Sequence, residues 1–557
     1  MNAAVGARDG ARRVVAHPLV LLACVAVVFL GLGLRQAWLD APTQDEPVYL
    51  TAGVTSLVFH DLRLNPEHPP LAKALAALPV LLARPIVPRG PAWEAGDEYT
   101  YPATFVAAQH GADALRREMF LARIVPLLEA VAVGFVLYAL ASRLFGRVAG
   151  LVAGLLWLVD PVTLGLGHLD GIDLPFTLAT VLVSWALLVA LRRPGHRELV
   201  VLGAACAGAV LVKDTGFIVA VTAALALGVA GWRRDRWRGT ARVVPVALVA
   251  WLLVWACYLA IAPASSWHAG ILPAPYVRGL HVLVSVDTAP GPAYILGIHW
   301  LGRRWWFWPA SLLVKVPLLT LAVLLAGPLA LRRADRRSRR EALAVAVLPA
   351  TAVAVFTVWV PRDLGVRYLL PVLALWIVVA SAVVLVPARR TIAAALAVVV
   401  LAAAVVTALS VPDSLSWVDP VVGHPYQVAS DANVDWGQDY YRLQAWSAGR
   451  DAWVEYDGPI GVDSAPIPGT RALPVTRPDG VTGWVAISAT ALTTSYYRSA
   501  WAYLRAYCPV GTVGRSIVVY RFASPPRAGI GPDRPAAPCA GASYSRQVAP
   551  LTPPAQR

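Results

Sequence analysis

The sequence predicts a polytopic α-helical membrane protein of about eleven transmembrane helices, with interfacial helices in its first outer loop and a small C-terminal extracytoplasmic α/β domain. Three observations carry this. The 557 residues are 58% hydrophobic and 15% charged, with a mean hydropathy of +0.60, where soluble domains hold about a quarter charged residues. Long apolar runs recur along the chain. Between them, arginines gather in short clusters, as they do in cytoplasmic loops.

A helix rises about 1.5 Å per residue, so crossing a core ~30 Å thick takes roughly 20 residues. Apolar runs of that kind lie near 17–38, 119–142, 148–166, 174–191, 198–212, 216–231, 243–262, 309–331, 342–360, 367–386 and 391–411. The first is longer than a signal-peptide core and is followed by further spans, so it reads as a retained helix. The stretch 198–231 is broken at "VKDTG", and "RRPGHR" and "RRDRWR" flank it, which makes it a hairpin with both ends inside. By the same rule 148–191 is a hairpin, and "RRADRRSRR" and "PARR" bracket another. The N-terminus, with Arg8, Arg12 and Arg13, is then cytoplasmic, and eleven crossings leave the C-terminus outside. The net charge of +15 is therefore a topology signal, and a nucleic-acid partner is not expected.

Two outer loops are long. Residues 39–118 contain amphipathic stretches near 46–60 and 69–83 that suit the interface, and 263–308 ends in the anchoring aromatic cluster "RRWWFWP". From 412 the chain turns polar. A helix is expected at "QDYYRLQAWSA" and strands at "AWVEYD", "GWVAISA" and "SIVVYRF". The expected division is a transmembrane domain at 1–411, an α/β domain at 412–523 and a Pro-rich disordered tail at 524–557, with no internal repeat. Cys24, Cys206 and Cys257 fall in apolar runs as packing residues. Cys508 and Cys539 can bond if their part of the chain faces an oxidising compartment.

This topology brings Asp45, Glu46, Glu67, His68, His168, Asp170, Asp173, Lys213, Asp214, His299, Lys315, Arg362 and Arg367 to the outer face, whereas the inner face is almost purely Arg. The only three lysines, Lys73, Lys213 and Lys315, all map outside. Ionisable groups at membrane depth are expensive, so they pair, line wet cavities or do chemistry. Glu129, midway along the second span, reads as an interhelical hydrogen-bond partner. Asp435 or Asp439 reads as the N-terminal cap of the helix that follows.

The pattern "DE" at 45–46, then "LNPEHPPLAK", "GHLDGIDLP", "AYILG…WWFWPASLLVKVPL", "GVRYLLPVL" and "DANVDWGQDYYRLQAW" resembles the polyprenyl-phosphate-dependent glycosyltransferases of the C-type membrane fold, in the branch of the protein-O-mannosyltransferases and lipid A aminoarabinose transferases. The resemblance implies transfer of a hexose or pentose from a polyprenyl-phosphate-linked donor to an acceptor on the extracytoplasmic side of a bacterial plasma membrane. It implies Asp45 as the catalytic carboxylate, with Glu46 beside it. A positioned carboxylate is worth about 10²–10⁴ in rate, and the leaving phosphate needs preorganised positive charge. Arg367, Lys213, Lys73, Lys315 and His68 are the phosphate-binding candidates, Arg for its planar fork. Asp173, Asp170, His168 and Tyr368 are candidates for holding sugar or acceptor. The matching Glu in aminoarabinose-transferase relatives ligates a metal. Glu67 with His299 or His68 is thus the candidate site for a divalent ion, the one cofactor considered. This chain has His68 where relatives often have Lys.

Two readings of other classes stand beside this one. A transporter or flippase would show paired halves and broken helices at the midplane, and its acidic tips would divide between both sides. A non-catalytic envelope scaffold would retain a lipid-linked sugar without turnover. The sequence names neither sugar nor acceptor, which leaves protein, lipid and polysaccharide open.

Overall fold

The computed structural model describes residues 18–110, 113–267, 270–287, 290–459, 467–493 and 500–545; the N-terminal arginines and residues 546–557 lie outside them. The chain opens with α1 (Pro18–Leu39), then α2 (Glu46–Phe59) and α3 (Leu71–Leu82) in the first outer loop. There follow α4 (Ala114–Phe145), the bent pair α5 (Arg147–Leu158) and α6 (Pro161–Gly167), and α7 (Asp173–Arg192). Next come α8 (His196–Val212), α9 (Gly216–Thr240), α10 (Val243–Ile261) and α11 (Ala274–Asp287). An antiparallel hairpin, β1 (Pro292–Ile295) and β2 (Ile298–Leu301), leads to α12 (Phe307–Lys315) and α13 (Leu318–Leu331). The helical part closes with α14 (Arg336–Trp359), α15 (Val366–Leu385) and α16 (Arg389–Ser410).

All eleven apolar segments fold as helix. Among the described residues eight helices, α1, α4, α7, α9, α10, α14, α15 and α16, are long and apolar enough to cross a membrane, and the α5/α6 pair, bent by 58°, makes a ninth if taken as one span. Two breaks and one short helix, α8 at 17 residues, account for the difference from eleven. Pro161 follows Asp160, whose carboxylate accepts the Val162 N–H at 2.8 Å and restarts the helix. Pro317 has no N–H to continue α12 into α13. The α8/α9 turn is tight enough that a Cβ on Gly216 would sit 2.0 Å from the Ala209 carbonyl oxygen. α7 and α15 form the centre, with 72% of each apolar window buried against 22% for α1, α10 and α16.

Beyond α16 the chain forms α17 (Tyr440–Ser447) and a six-stranded mixed sheet. The strands are β3 (Ala452–Glu455), β4 (Thr470–Ala472), β5 (Gly483–Ser488), β6 (Gly511–Val513), β7 (Ile517–Phe522) and β8 (Ser543–Ser545), in the order β4-β3-β5-β7-β6-β8. β3, β5 and β7 coincide with the three expected strands. Residues 524–545, expected as disordered tail, instead strap the sheet. Gly531 N–H donates to Ala502 O at 3.0 Å and Ala536 N–H to Arg505 O at 3.1 Å; Cys539 is disulfide-bonded to Cys508, and β8 pairs with β6. A Pro-rich strap needs no core of its own, only edge pairing and a covalent tie, which composition does not show.

Candidate active site

Asp45 and Glu46 begin α2, and the chain divides them. The segment before them is pinned from the C-terminal part of the chain: Ala41 N–H donates to Gln438 O at 2.9 Å and Gln44 N–H to Trp436 O at 3.0 Å. Glu46 turns inward, 1% exposed, and takes a two-pronged bond from Arg123 at 2.7 and 2.6 Å, with further donors from Thr43 and the Asp170 N–H. Arg123 spends its remaining donors on the carbonyls of Ala37, Asp40 and Ala41. Glu46 is therefore a clamp on the loop, turned away from any ligand.

Asp45 turns the other way, into a cavity of about 570 Å³. Its Oδ2 accepts from Arg367 Nη1 at 2.7 Å, and the same Nη1 lies 3.8 Å from Asp173 Oδ2. Asp173 Oδ1 pairs with Lys213 Nζ at 2.5 Å, and that ammonium stands 4.2 Å above the Tyr368 ring. One chain of alternating charge thus runs Asp45–Arg367–Asp173–Lys213, drawn from α2, α15, α7 and the end of α8. Arg367 is aimed by Asn433, whose Oδ1 accepts the Val366 N–H at 2.9 Å, and its guanidinium lies 4.2 Å from the Trp436 ring.

The cavity has two characters. Asp45, Glu67, His68, Glu98, Lys213, Asp214, Arg362 and Arg367 give its wall charged and polar groups; Phe217, Ile218, Leu272, Leu280, Leu283 and Phe356 give it apolar surface. Phe356 also borders an open apolar groove along α14, with Leu348, Ala352, Val355 and Trp359. Burial, with the Glu98 carboxylate next, pushes the Glu67 carboxyl up to about 7. Burial and then the neighbouring ammonium of Lys73 hold His68 well below the usual imidazole range. His68 is therefore a neutral hydrogen-bonding group at pH 7 rather than the cation expected for phosphate.

The remaining expected residues lie elsewhere. Lys73 donates to Asn65 O, Asn65 Oδ1 and His68 O at 2.7, 3.0 and 2.8 Å, which fixes the "NPEHPP" loop over α3. Lys315, 2% exposed, donates to the carbonyls of Leu415, Trp417 and Asn433 at 2.7, 2.5 and 2.6 Å and ties the post-membrane segment to α12. His168 bonds Asp40 Oδ2 at 2.9 Å and Leu164 O at 3.0 Å. Asp170 is buried away from the cavity, and burial, then Glu46, pushes its carboxyl well up. Lys73, Lys315 and His168 are structural because buried charges and polar groups must be met by opposite charge or dipoles; the Asp170 carboxyl, whose Oδ2 has no hydrogen-bond partner among the described residues, is instead held toward its neutral form. Glu67 and His299 do not meet: His299 sits on β2, 3.8 Å from Asp533, and Glu67 lines the cavity. Among the described residues no group of three or more His, Cys, Asp and Glu could hold a metal ion. The donor set expected for a divalent ion does not fit.

Sequence reasoning missed Tyr49, Asn65, Glu98, Tyr99 and Trp436 at the site. It also missed the buried network beside it, where Arg442 bonds Asp40 Oδ1 at 2.7 Å and also pairs with Asp439. Asp439 accepts from Ser516 Oγ at 2.8 Å and makes no side-chain cap to α17; Asp435 accepts the Thr490 N–H at 2.9 Å. Asp439 is the N-cap residue of α17 by position, as expected, and its carbonyl accepts the Leu443 N–H at 2.8 Å, but its side chain makes no capping bond.

Residues 105–267 match the family model of dolichyl-phosphate-mannose-protein mannosyltransferase, less than half of the chain. No curated protein matches in sequence. Among solved structures, ArnT from Cupriavidus metallidurans bound to undecaprenyl phosphate is similar at 15% identity and a TM-score of 0.43, over 71% of this chain and 71% of that one. The Archaeoglobus fulgidus oligosaccharyltransferase in its apo form is similar at 14% identity and a TM-score of 0.43, over 77% and 58%. Arabinosyltransferase EmbB from Mycobacterium smegmatis gives 15% identity and a TM-score of 0.41, over 65% and 30%.

Proposed function

We propose that the protein is a membrane glycosyltransferase that moves a sugar from a polyprenyl-phosphate donor to an acceptor hydroxyl at the extracytoplasmic surface. The observation that carries this is one cavity walled by both charged and apolar side chains, where Asp45 stands 2.7 Å from Arg367. A lipid phosphate has the same two-part chemistry. Its phosphate suits Arg367 and Lys213, its first isoprene units suit Phe217, Leu283 and Phe356, and the groove along α14 offers the rest a path outward. The family match over 105–267 covers Asp173 and Lys213 and supports the donor class.

In this reading the arriving phosphate takes Arg367 from Asp45. The freed carboxylate accepts the proton of the acceptor hydroxyl as its oxygen bonds to the anomeric carbon. The carbon–oxygen bond to phosphate breaks, and the electron pair leaves with the phosphate, held by Arg367 and Lys213. A single displacement inverts the anomeric configuration; retention would require a second carboxylate as nucleophile. Purified protein is incubated with a panel of polyprenyl-phosphate hexoses and pentoses, and the product anomer is read by NMR. One donor should turn over with inversion, and Asp45→Asn should abolish turnover in protein that still folds and inserts. Turnover near wild type in Asp45→Asn sinks the mechanism.

A further inference from the structure

A second cavity, of about 280 Å³, adjoins the first. Its walls come from β1, residues 362–365, residues 430–433, Asp457 and Thr490, so it lies where the helical part meets the C-terminal sheet. Arg362 and Leu364 line both cavities, and Gln44 of the first donates to Asp457 of the second at 2.9 Å. We propose that this second cavity is the acceptor subsite and that it receives the hydroxylated ring of a carbohydrate acceptor.

The chemistry of its wall argues for this. Asp363, Asp431 and Asp457 contribute carboxylates, which accept hydrogen bonds and, when ionised, do not donate them. Asp363 is only 3% exposed. Its Oδ2 accepts from Trp300 Nε1 at 3.0 Å and from the Arg304 N–H at 2.8 Å, while its Oδ1 has no hydrogen-bond partner among the described residues. A buried carboxylate oxygen left so is costly, and a ligand hydroxyl supplies the missing donor. Tyr294 and Phe307 add aromatic surface beside these acceptors, the mixture that a ring with apolar faces and hydroxyl edges fits. An extended peptide would instead look for a free strand edge. β1 is paired with β2 on one side, and its end bridges from Ile295 to Ala429 on the other.

The assignment rests on the donor reading for its reaction, but its binding is tested separately. Full-length protein in lipid nanodiscs is titrated with methyl glycosides of common hexoses and pentoses, with Ser/Thr peptides, and with undecaprenyl phosphate, by saturation-transfer NMR. At least one methyl glycoside should bind saturably. Asp431→Asn should weaken it at least tenfold while undecaprenyl phosphate still binds. Asn suits that position, because Asp431 has a φ of 51°, which Asn tolerates. Should that variant fail to fold, Asp457→Asn carries the same comparison. Binding of no glycoside, binding indifferent to both substitutions, or binding of peptides in place of glycosides overturns the proposal. Glycoside binding without undecaprenyl phosphate binding would instead break the donor reading and leave this subsite standing.

Discussion

Arg367 holds Asp45 at 2.7 Å and approaches Asp173 at 3.8 Å, so a change at this one side chain alters both carboxylates. Arg367→Lys keeps the charge and loses the planar fork. It should raise the donor KM about tenfold or more, the size of one lost charge-assisted hydrogen bond of roughly 1.5–3 kcal/mol; steady-state kinetics with the active donor would show it, and an unchanged KM would remove Arg367 from the phosphate site. Glu67 gives a pH signature. Its ordinary value is 4.5, and burial followed by Glu98 raises it to about 7 in the folded protein. The folded state therefore keeps a proton that the unfolded chain has released. That stability is fully present below the unfolded value and is lost as pH rises through about 7. Melting of wild type and Glu67→Gln across this range should converge at low pH and favour the variant above neutrality. A difference that does not vary with pH contradicts the assignment.

At the scale of elements, the helices were legible because an apolar run of membrane length leaves a chain no other way to satisfy its backbone. Short β elements were not. β4, β6 and β8 have three residues each, too few to show alternation. The β1–β2 turn uses Leu296 at φ 52° and Gly297 at φ 83°, a left-handed pair that Asn-Gly normally announces and Leu-Gly does not. Charged residues were legible as a group and misread singly. Lys73 and Lys315, expected as phosphate-binding cations, each spend the side-chain nitrogen on acceptors of their own chain, mostly backbone carbonyls. Sequence shows where a cation is but not which carbonyls surround it. Glu46 was misread for the same reason, since its partner Arg123 is 77 residues away. Arg123→Met leaves Glu46 buried without its counter-charge, which typically costs about 3–5 kcal/mol. Thermal unfolding in detergent should show a large loss, and a melting temperature equal to wild type would deny the clamp.

Across the whole molecule, α2, α7, α8 and α15 and the C-terminal segment converge on the Asp45–Arg367–Asp173–Lys213 chain. Trp436 and Asn433 come from beyond the last apolar helix, and Asp45 from before the second, so the site exists only when the chain is threaded as a unit. In the proposed topology the Asp45 cavity opens outward. Cysteines introduced at Thr100 and Ser338 should be labelled from opposite sides of sealed vesicles, and labelling from one side would break the topology. The most direct measurement of the central claim is equilibrium binding of undecaprenyl phosphate to wild type and to Arg367→Ala in nanodiscs by native mass spectrometry. Wild type should bind saturably and the variant at least tenfold more weakly; equal binding by both, or none by wild type, would remove the lipid-phosphate site from this cavity.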